Sequence, residues 1–243
     1  MKTIGMIGGM SWESSLLYYR LINQGINQRL GGLHSAKIIL SSIDFAPLEQ
    51  LQHSGDWQGA AAILIDSARQ VESAGADFFI IATNTMHQVA DAVTAAVGIP
   101  LLHIAEATAA ALTADRVRRI GLLGTAFTME LDFYRDQIQR HDIDVIVPEL
   151  HDRQMVHDII YQELCRGHID EDSRNVYLAI IDRMREQQID GVILGCTEIG
   201  MLIQPEHRPA PLRQHRTARR PRRRVRPAGL ARATCRSGRK LRL

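Results

Sequence analysis

Ile4-Gly5-Met6-Ile7-Gly8-Gly9 and Ile120-Gly121-Leu122-Leu123-Gly124-Thr125 carry one pattern twice, at an offset of 116 residues. Each is an apolar run short enough for a buried strand, closing on small residues that suit a tight turn. A second pair lies further on, where Ile80-Ile81-Ala82-Thr83-Asn84-Thr85 matches Ile193-Leu194-Gly195-Cys196-Thr197-Glu198 at an offset of 113. Tyr19-Arg20 and Tyr134-Arg135 match at 115, so about one residue is gained or lost between the copies. The pattern reads as an internal duplication; the competing reading, that any two strand–turn–helix units look alike, is the weaker one. Open α/β sheets bind ligands at the carboxyl ends of their strands. Two such halves facing across a cleft would offer two reactive groups to opposite sides of one substrate.

Around these strands the chain alternates. Lys37 to Leu40, Phe78 to Ile81, Val145 to Val147 and Val192 to Leu194 read as strands. Ser11 is an N-cap for a helix with Leu16, Tyr19 and Ile22 on its inner side. A helix from about Trp57 to Val71 ends near Gly75, another runs through Phe133, and two more lie around 154–166 and 171–187. Short apolar strands alternating with amphipathic helices predict parallel sheets covered on both faces. The expected architecture is α/β: two pseudo-symmetric parallel-sheet domains, residues 1–99 and 100–207, with the active site in the cleft between them. Residues 208–243 form an Arg-rich tail.

Composition narrows the class. The 243 residues are 45% hydrophobic and 23% charged, ordinary values for a globular chain. No apolar run reaches the roughly 20 residues of a membrane helix, and the first residues lack the features of a secretion signal. Cys165, Cys196 and Cys235 are too widely spaced for a disulfide framework or a zinc motif. A cytoplasmic location with no membrane partner is expected. The net charge of +2 hides a split: the tail holds 13 Arg and one Lys with no acid, leaving 15 basic residues against 27 acidic ones before it. So acidic a body argues against nucleic acid as its partner.

Three segments carry a family likeness. Gly8-Gly9-Met10-Ser11-Trp12-Glu13-Ser14, Thr83-Asn84-Thr85-Met86-His87 and Gly195-Cys196-Thr197-Glu198-Ile199-Gly200, each at a predicted strand end, resemble the aspartate/glutamate racemase family from about residue 3 to about residue 207. The resemblance implies cofactor-independent, two-base racemisation of aspartate and/or glutamate. One group removes the Cα proton while the other returns a proton to the opposite face of the planar carbanion. It assigns these roles to Thr83 and Cys196. A free thiol has a pKa of roughly 8.5, and Cys196 starts a predicted helix whose N–H groups favour the thiolate. Cys196 is therefore expected to rest as the charged base. Most of the family has a second cysteine where this chain has Thr83, so an asymmetric enzyme is implied. The family's second-half thiol faces the α-proton of L-substrates, which implies a preference for L-aspartate or L-glutamate.

The resemblance also suggests the binding residues. Met10 and Gln52 would be wall and polar contacts; Asn84, Thr85 and Thr197 would hold a carboxylate, as strand-end turns do; Thr125 and Thr128 are weaker candidates. Glu198 either anchors the α-ammonium or is a first-turn carboxylate favoured by the helix dipole. Glutamate rather than histidine after Gly-Cys-Thr is similar to the aspartate-type and broader members. A lysine that the family often carries just before the Gly167 position is missing; Cys165 and Arg166 stand there, and Arg166 is the candidate reader of a distal carboxylate. Cys165 reads as structural, and His87 as a packing or capping group. The family implies a homodimer.

Cofactor independence also has an argument of its own. A pyridoxal enzyme needs a Schiff-base lysine, and Lys2, Lys37 and Lys240 precede strands or lie in the tail. No dinucleotide fingerprint follows the first strand, and no metal-ligand spacing occurs. Carbanion charge then falls to fixed dipoles at the strand ends. Beyond Leu212 the family pattern gives way to Arg, Ala and Pro, as a shifted reading frame in GC-rich DNA would produce. The alternative is a natural basic arm for nucleic acid or acidic membranes; in both cases disorder is expected there. Two other functions compete: a single-cysteine decarboxylase or isomerase of the same superfamily, and a basic-tailed nucleic-acid binder on an inactive scaffold.

Overall fold

The computed structural model describes residues 1–204 and the two-residue strand β7 (Arg226–Pro227). The expectation of a disordered tail therefore lies outside the described residues, apart from that strand.

Two parallel sheets are built on one plan. β1 (Thr3–Gly8) lies between β2 (Lys37–Ser42) and β3 (Phe78–Ile81), and β4 (Arg119–Leu123) lies between β5 (Asp144–Ile146) and β6 (Gly191–Leu194). The matching sequences at β1 and β4 thus take equivalent central places. Met6 stands opposite Leu40 and Ile80, and Leu122 opposite Ile193. The correspondence continues outward: Leu101 bridges to Phe79 beside β3, and β7 pairs in parallel with β6.

Helices cover the sheets. α1 (Trp12–Leu30) follows β1, α2 (Phe45–Ser54) and α3 (Trp57–Ser73) follow β2, and α4 (Ala90–Ala95) follows β3 through a 3-10 turn. α5 (Ile104–Ala114) leads into β4; α6 (Ala126–Glu130) and α7 (Asp132–Gln139) follow it. α8 (Leu150–Gln162) and α9 (Glu171–Glu186) separate β5 from β6, and α10 (Ile199–Leu202) ends the series. Among the described residues no helix is long and apolar enough to cross a membrane.

Ser11 caps α1 as its sequence predicts, accepting from the Ser14 N–H at 3.3 Å. The inner side of α1 is a correction: Ser14, Ser15 and Tyr18 are buried, Ile22 packs beside them, and Leu16 and Tyr19 are exposed. Small hydroxyls win because α1 lies tight against the strand ends. Ser15 Oγ accepts from the Gly9 N–H at 2.8 Å, Ser14 Oγ donates to the Ala82 carbonyl at 3.0 Å, and a Cβ on Gly8 would lie 2.5 Å from Ser15 Oγ. The helix expected through Phe133 is two, broken where Leu131 turns extended. α2 and α5 were not anticipated; α2 carries Pro47 in its first turn, and α5 is mostly alanine, which masks its periodicity.

One apolar cluster surrounds the first sheet through Ile7, Leu48, Leu64, Val71 and Phe79. The larger one surrounds the second sheet, takes in α5 through Ile104 and Leu112, and reaches across to Met6, Tyr18 and Ile80 of the first half. This shared packing brings the carboxyl ends of both sheets together. Burial of each Leu, Ile or Val contributes about 1.5–3 kcal/mol, so the two halves are joined by core packing as well as by polar contacts.

Candidate active site

The turn after β1 depends on Gly9. Its φ is +92°, and a Cβ there would lie 2.1 Å from the Ile43 carbonyl oxygen; only glycine takes both the angle and the approach at little cost. That turn aims Met10, Ser11 and Ser14 into a cavity shared with Thr83, Asn84 and Thr85 after β3, Thr125 after β4, and Gly195 to Glu198 after β6. Phe45 and Gln52 of α2, Ile160 and Tyr161 of α8, and Cys165 in the turn after α8 complete the lining, with Tyr161 OH 3.5 Å from Gln52 Oε1.

Polar contacts stitch the halves across this cavity. Asn84 Nδ2 donates to the Gly195 carbonyl, the Thr85 and Thr125 hydroxyls are 3.1 Å apart, and Ser11 Oγ donates to Glu198 Oε1 at 2.6 Å. The His53 ring meets Phe127 and the cavity-lining Tyr161 edge-on, at 5.8 and 5.3 Å between centroids, while Trp57 meets Phe127 at 5.6 Å. Asn84 Oδ1 is buried without a hydrogen-bond partner among the described residues, an acceptor free for a bound donor.

Nine of the ten site residues expected from the sequence line this cavity: Met10, Gln52, Thr83, Asn84, Thr85, Thr125, Cys196, Thr197 and Glu198. Thr128 does not. It is fully buried behind Thr125, its hydroxyl 3.2 Å from the Thr125 hydroxyl and its methyl against Gly124 and Gly195. Arg166 is a second correction: it is exposed and does not line the cavity. Cys165, read as structural, does line it. Ser11 and Ser14 belonged to a quoted motif, and Cys165 stands at the position where the family often has a lysine, whereas Phe45, Ile160 and Tyr161 gave no signal because tertiary packing alone brings α2 and α8 to the site.

The electrostatics centre on Cys196 and Glu198. Cys196 Sγ donates to Glu198 Oε2 at 2.8 Å, and Thr197 Oγ1 donates to the same oxygen at 2.7 Å. Burial, then the negative charge of Glu198, push the Cys196 thiol well above its ordinary range; the Glu198 backbone N–H pulls the other way and is outweighed. The expected resting thiolate is thereby corrected: the resting group is a thiol hydrogen-bonded to a carboxylate. Glu198, expected either to anchor an α-ammonium or to be a first-turn carboxylate, accepts the hydrogen bond from Cys196 Sγ. Burial, with help from Glu198, also pushes Cys165 up to about 12.

Thr83 has a different setting. Its carbonyl accepts from His87 Nδ1 at 2.9 Å, and the other ring nitrogen accepts from the Ile104 N–H at 3.3 Å. Burial, then the neighbouring His103, hold His87 down to about 3, so it is a neutral staple between the Thr83 turn and α5. Among the described residues no side chain hydrogen-bonds to Thr83 Oγ1. Lys2 and Lys37 lie at the amino ends of β1 and β2, away from the cavity, and no cluster of three or more His, Cys, Asp or Glu is placed to hold a metal among the described residues.

The sequence profile of the Asp/Glu/Hydantoin racemase family matches residues 7–213. The chain belongs to this family. It is 52% identical to a candidate Asp/Glu racemase from Yersinia pestis of known structure, over 86% of this chain and 91% of that one, with a TM-score of 0.80. An aspartate racemase homologue from Pyrococcus horikoshii OT3 shows 34% identity over the same shares, with a TM-score of 0.72. The broad specificity amino-acid racemase RacX of Bacillus subtilis (strain 168) is 24% identical over 140 residues, 58% of this chain and 60% of RacX. Membership of a racemase family makes this an isomerase scaffold with two similar α/β halves.

Proposed function

We propose that the protein racemises free amino acids at Cα without a cofactor, Thr83 and Cys196 exchanging protons on opposite faces of the substrate. The observation that carries this reading is the placement of the two residues. Each follows the equivalent strand of its half, β3 or β6, and both line one cavity.

Neither group is charged at rest, so the base must be generated in the complex. Glu198 is the acceptor in place: as the Cα proton moves to Sγ, the thiol proton passes to Oε2 along the existing 2.8 Å hydrogen bond. The Thr85–Thr125 hydroxyl pair and the second N–H of the Asn84 amide suit the α-carboxylate, whose oxygens gain charge as the carbanion forms. Fixed donors of that kind contribute a few kcal/mol each. Thr83 supplies or relays the proton on the far face. Aspartate and glutamate are the substrates named for the family, and the L-enantiomer is the one presented to Cys196.

The test is deuterium incorporation at Cα of L- and D-aspartate and glutamate in heavy water, with other amino acids alongside, followed by mass spectrometry. Exchange is expected, and Cys196→Ala should abolish it with the melting temperature within a few degrees of the parent. No exchange with any amino acid, or full exchange by Cys196→Ala, would refute the proposal.

A further inference from the structure

We infer that the side-chain end of this cavity selects amino acids with uncharged side chains ahead of aspartate and glutamate, an inference that rests on the racemase reading. The strand-end groups Asn84, Thr85 and Thr125 are held together by contacts between the halves, and the racemase reading gives them the α-carboxylate. What remains for the substrate side chain is the wall formed by Phe45, Gln52, Ile160, Tyr161 and Cys165. Phe45 and Ile160 are apolar, and Cys165 is held as a neutral thiol. Gln52 is already engaged at both ends, its Nε2 on Met86 Sδ at 2.9 Å and its Oε1 accepting from Tyr161 OH at 3.5 Å.

The local charge has the wrong sign for an acid. Glu198 is the one charged side chain lining the cavity among the described residues; burial is the main cause that raises Cys165 and Tyr161 on the wall, and the Glu198 charge adds to it at both. A distal carboxylate would leave water for a site with no cation beside it and a carboxylate nearby, and burying an unpaired charge is costly. An amide or hydroxyl of the same size escapes both penalties. Arg166, the cation at the right place in the chain, is exposed and does not line the cavity.

The experiment compares near-isosteric pairs that differ in charge. Exchange kcat/KM is measured at pH 7 in heavy water for L-glutamine against L-glutamate and for L-asparagine against L-aspartate. The expected result is at least a tenfold advantage for the amide in each pair. Cys165→Lys, placing a cation on the wall, should move both ratios toward the acid; if that variant fails to fold, the parent ratios decide alone. Exchange with acids equal to or better than the amides would overturn the inference while leaving the racemase reading intact. No exchange with any of the four, nor with any amino acid in the wider panel, would overturn both.

Discussion

Acid should loosen this protein through His87, and the size of the effect follows from where the ring sits. In the folded chain His87 stays neutral down to about 3, with Nδ1–H on the Thr83 carbonyl and Nε2 on the Ile104 N–H. An unfolded histidine takes a proton near 6.5. Between those values the unfolded state binds the extra proton, so unfolding free energy rises with pH and is lost as pH falls. Each pH unit inside the window is worth about 1.4 kcal/mol, so lowering pH from 6.5 to 5 removes about 2 kcal/mol. His103, 4.5 Å from the His87 ring, is lowered by its own burial and adds in the same direction. Urea unfolding of the parent and of His87→Gln at pH 5 and pH 7 measures this directly. The variant should be less stable at pH 7, by about 1–3 kcal/mol for a poorly satisfied buried pair, yet lose less on acidification. An equal loss in both proteins between pH 7 and pH 5 would refute the staple.

Two further outcomes follow from the site. Glu198→Gln should cut Cα exchange by roughly 10²–10⁴-fold, the usual worth of a general acid–base group. The same variant removes the charge that raises Cys196, so iodoacetamide should alkylate that thiol faster at pH 8; slower or equal alkylation would contradict the pairing. Thr83→Cys should raise the ratio of inversion to exchange with retention for L-substrates, read by chiral separation of the deuterated products, and an unchanged ratio would remove Thr83 from the proton path.

Much of this was legible in the residues because the duplicated strands announce themselves. β1 and β4 are continuous apolar runs ending in glycine, which fixes their burial, their direction and the place of their turns. The turns after the strands line the cavity, so Thr83, Asn84, Thr85 and the Cys196 to Glu198 segment could be located from the repeat and the family resemblance without coordinates. What could not be read is contact between elements distant in sequence. Tyr161 lies in a helix that looks like any amphipathic surface helix, and only the packing of α8 beside α2 brings it to the cavity. The charge state of Cys196 failed for a related reason. The sequence shows the peptide N–H groups that favour a thiolate, while the larger opposing effect, burial beside a carboxylate, depends on the closed cleft.

The fold is nearly two-fold symmetric, and the turns that line its cavity are not. Cys196 has a carboxylate partner two residues along its own turn, while the corresponding turn places Thr85 two residues after Thr83. The hydroxyl of Thr85 is paired with Thr125 in the opposite half. In the proposed mechanism, therefore, a carboxylate acceptor for the displaced proton stands on one face only. The two enantiomers are equal in free energy, so kcat/KM for complete racemisation must be the same in both directions, whatever the residues. A slower turnover from the D side must be matched by a lower KM on that side. Exchange without inversion escapes this constraint, because a proton taken by the Cys196–Glu198 pair can be replaced from solvent and returned to the same face. The asymmetry of the site should accordingly appear as washout with retention for the L-substrate, exceeding its rate of inversion, while the equilibrium between enantiomers stays at one.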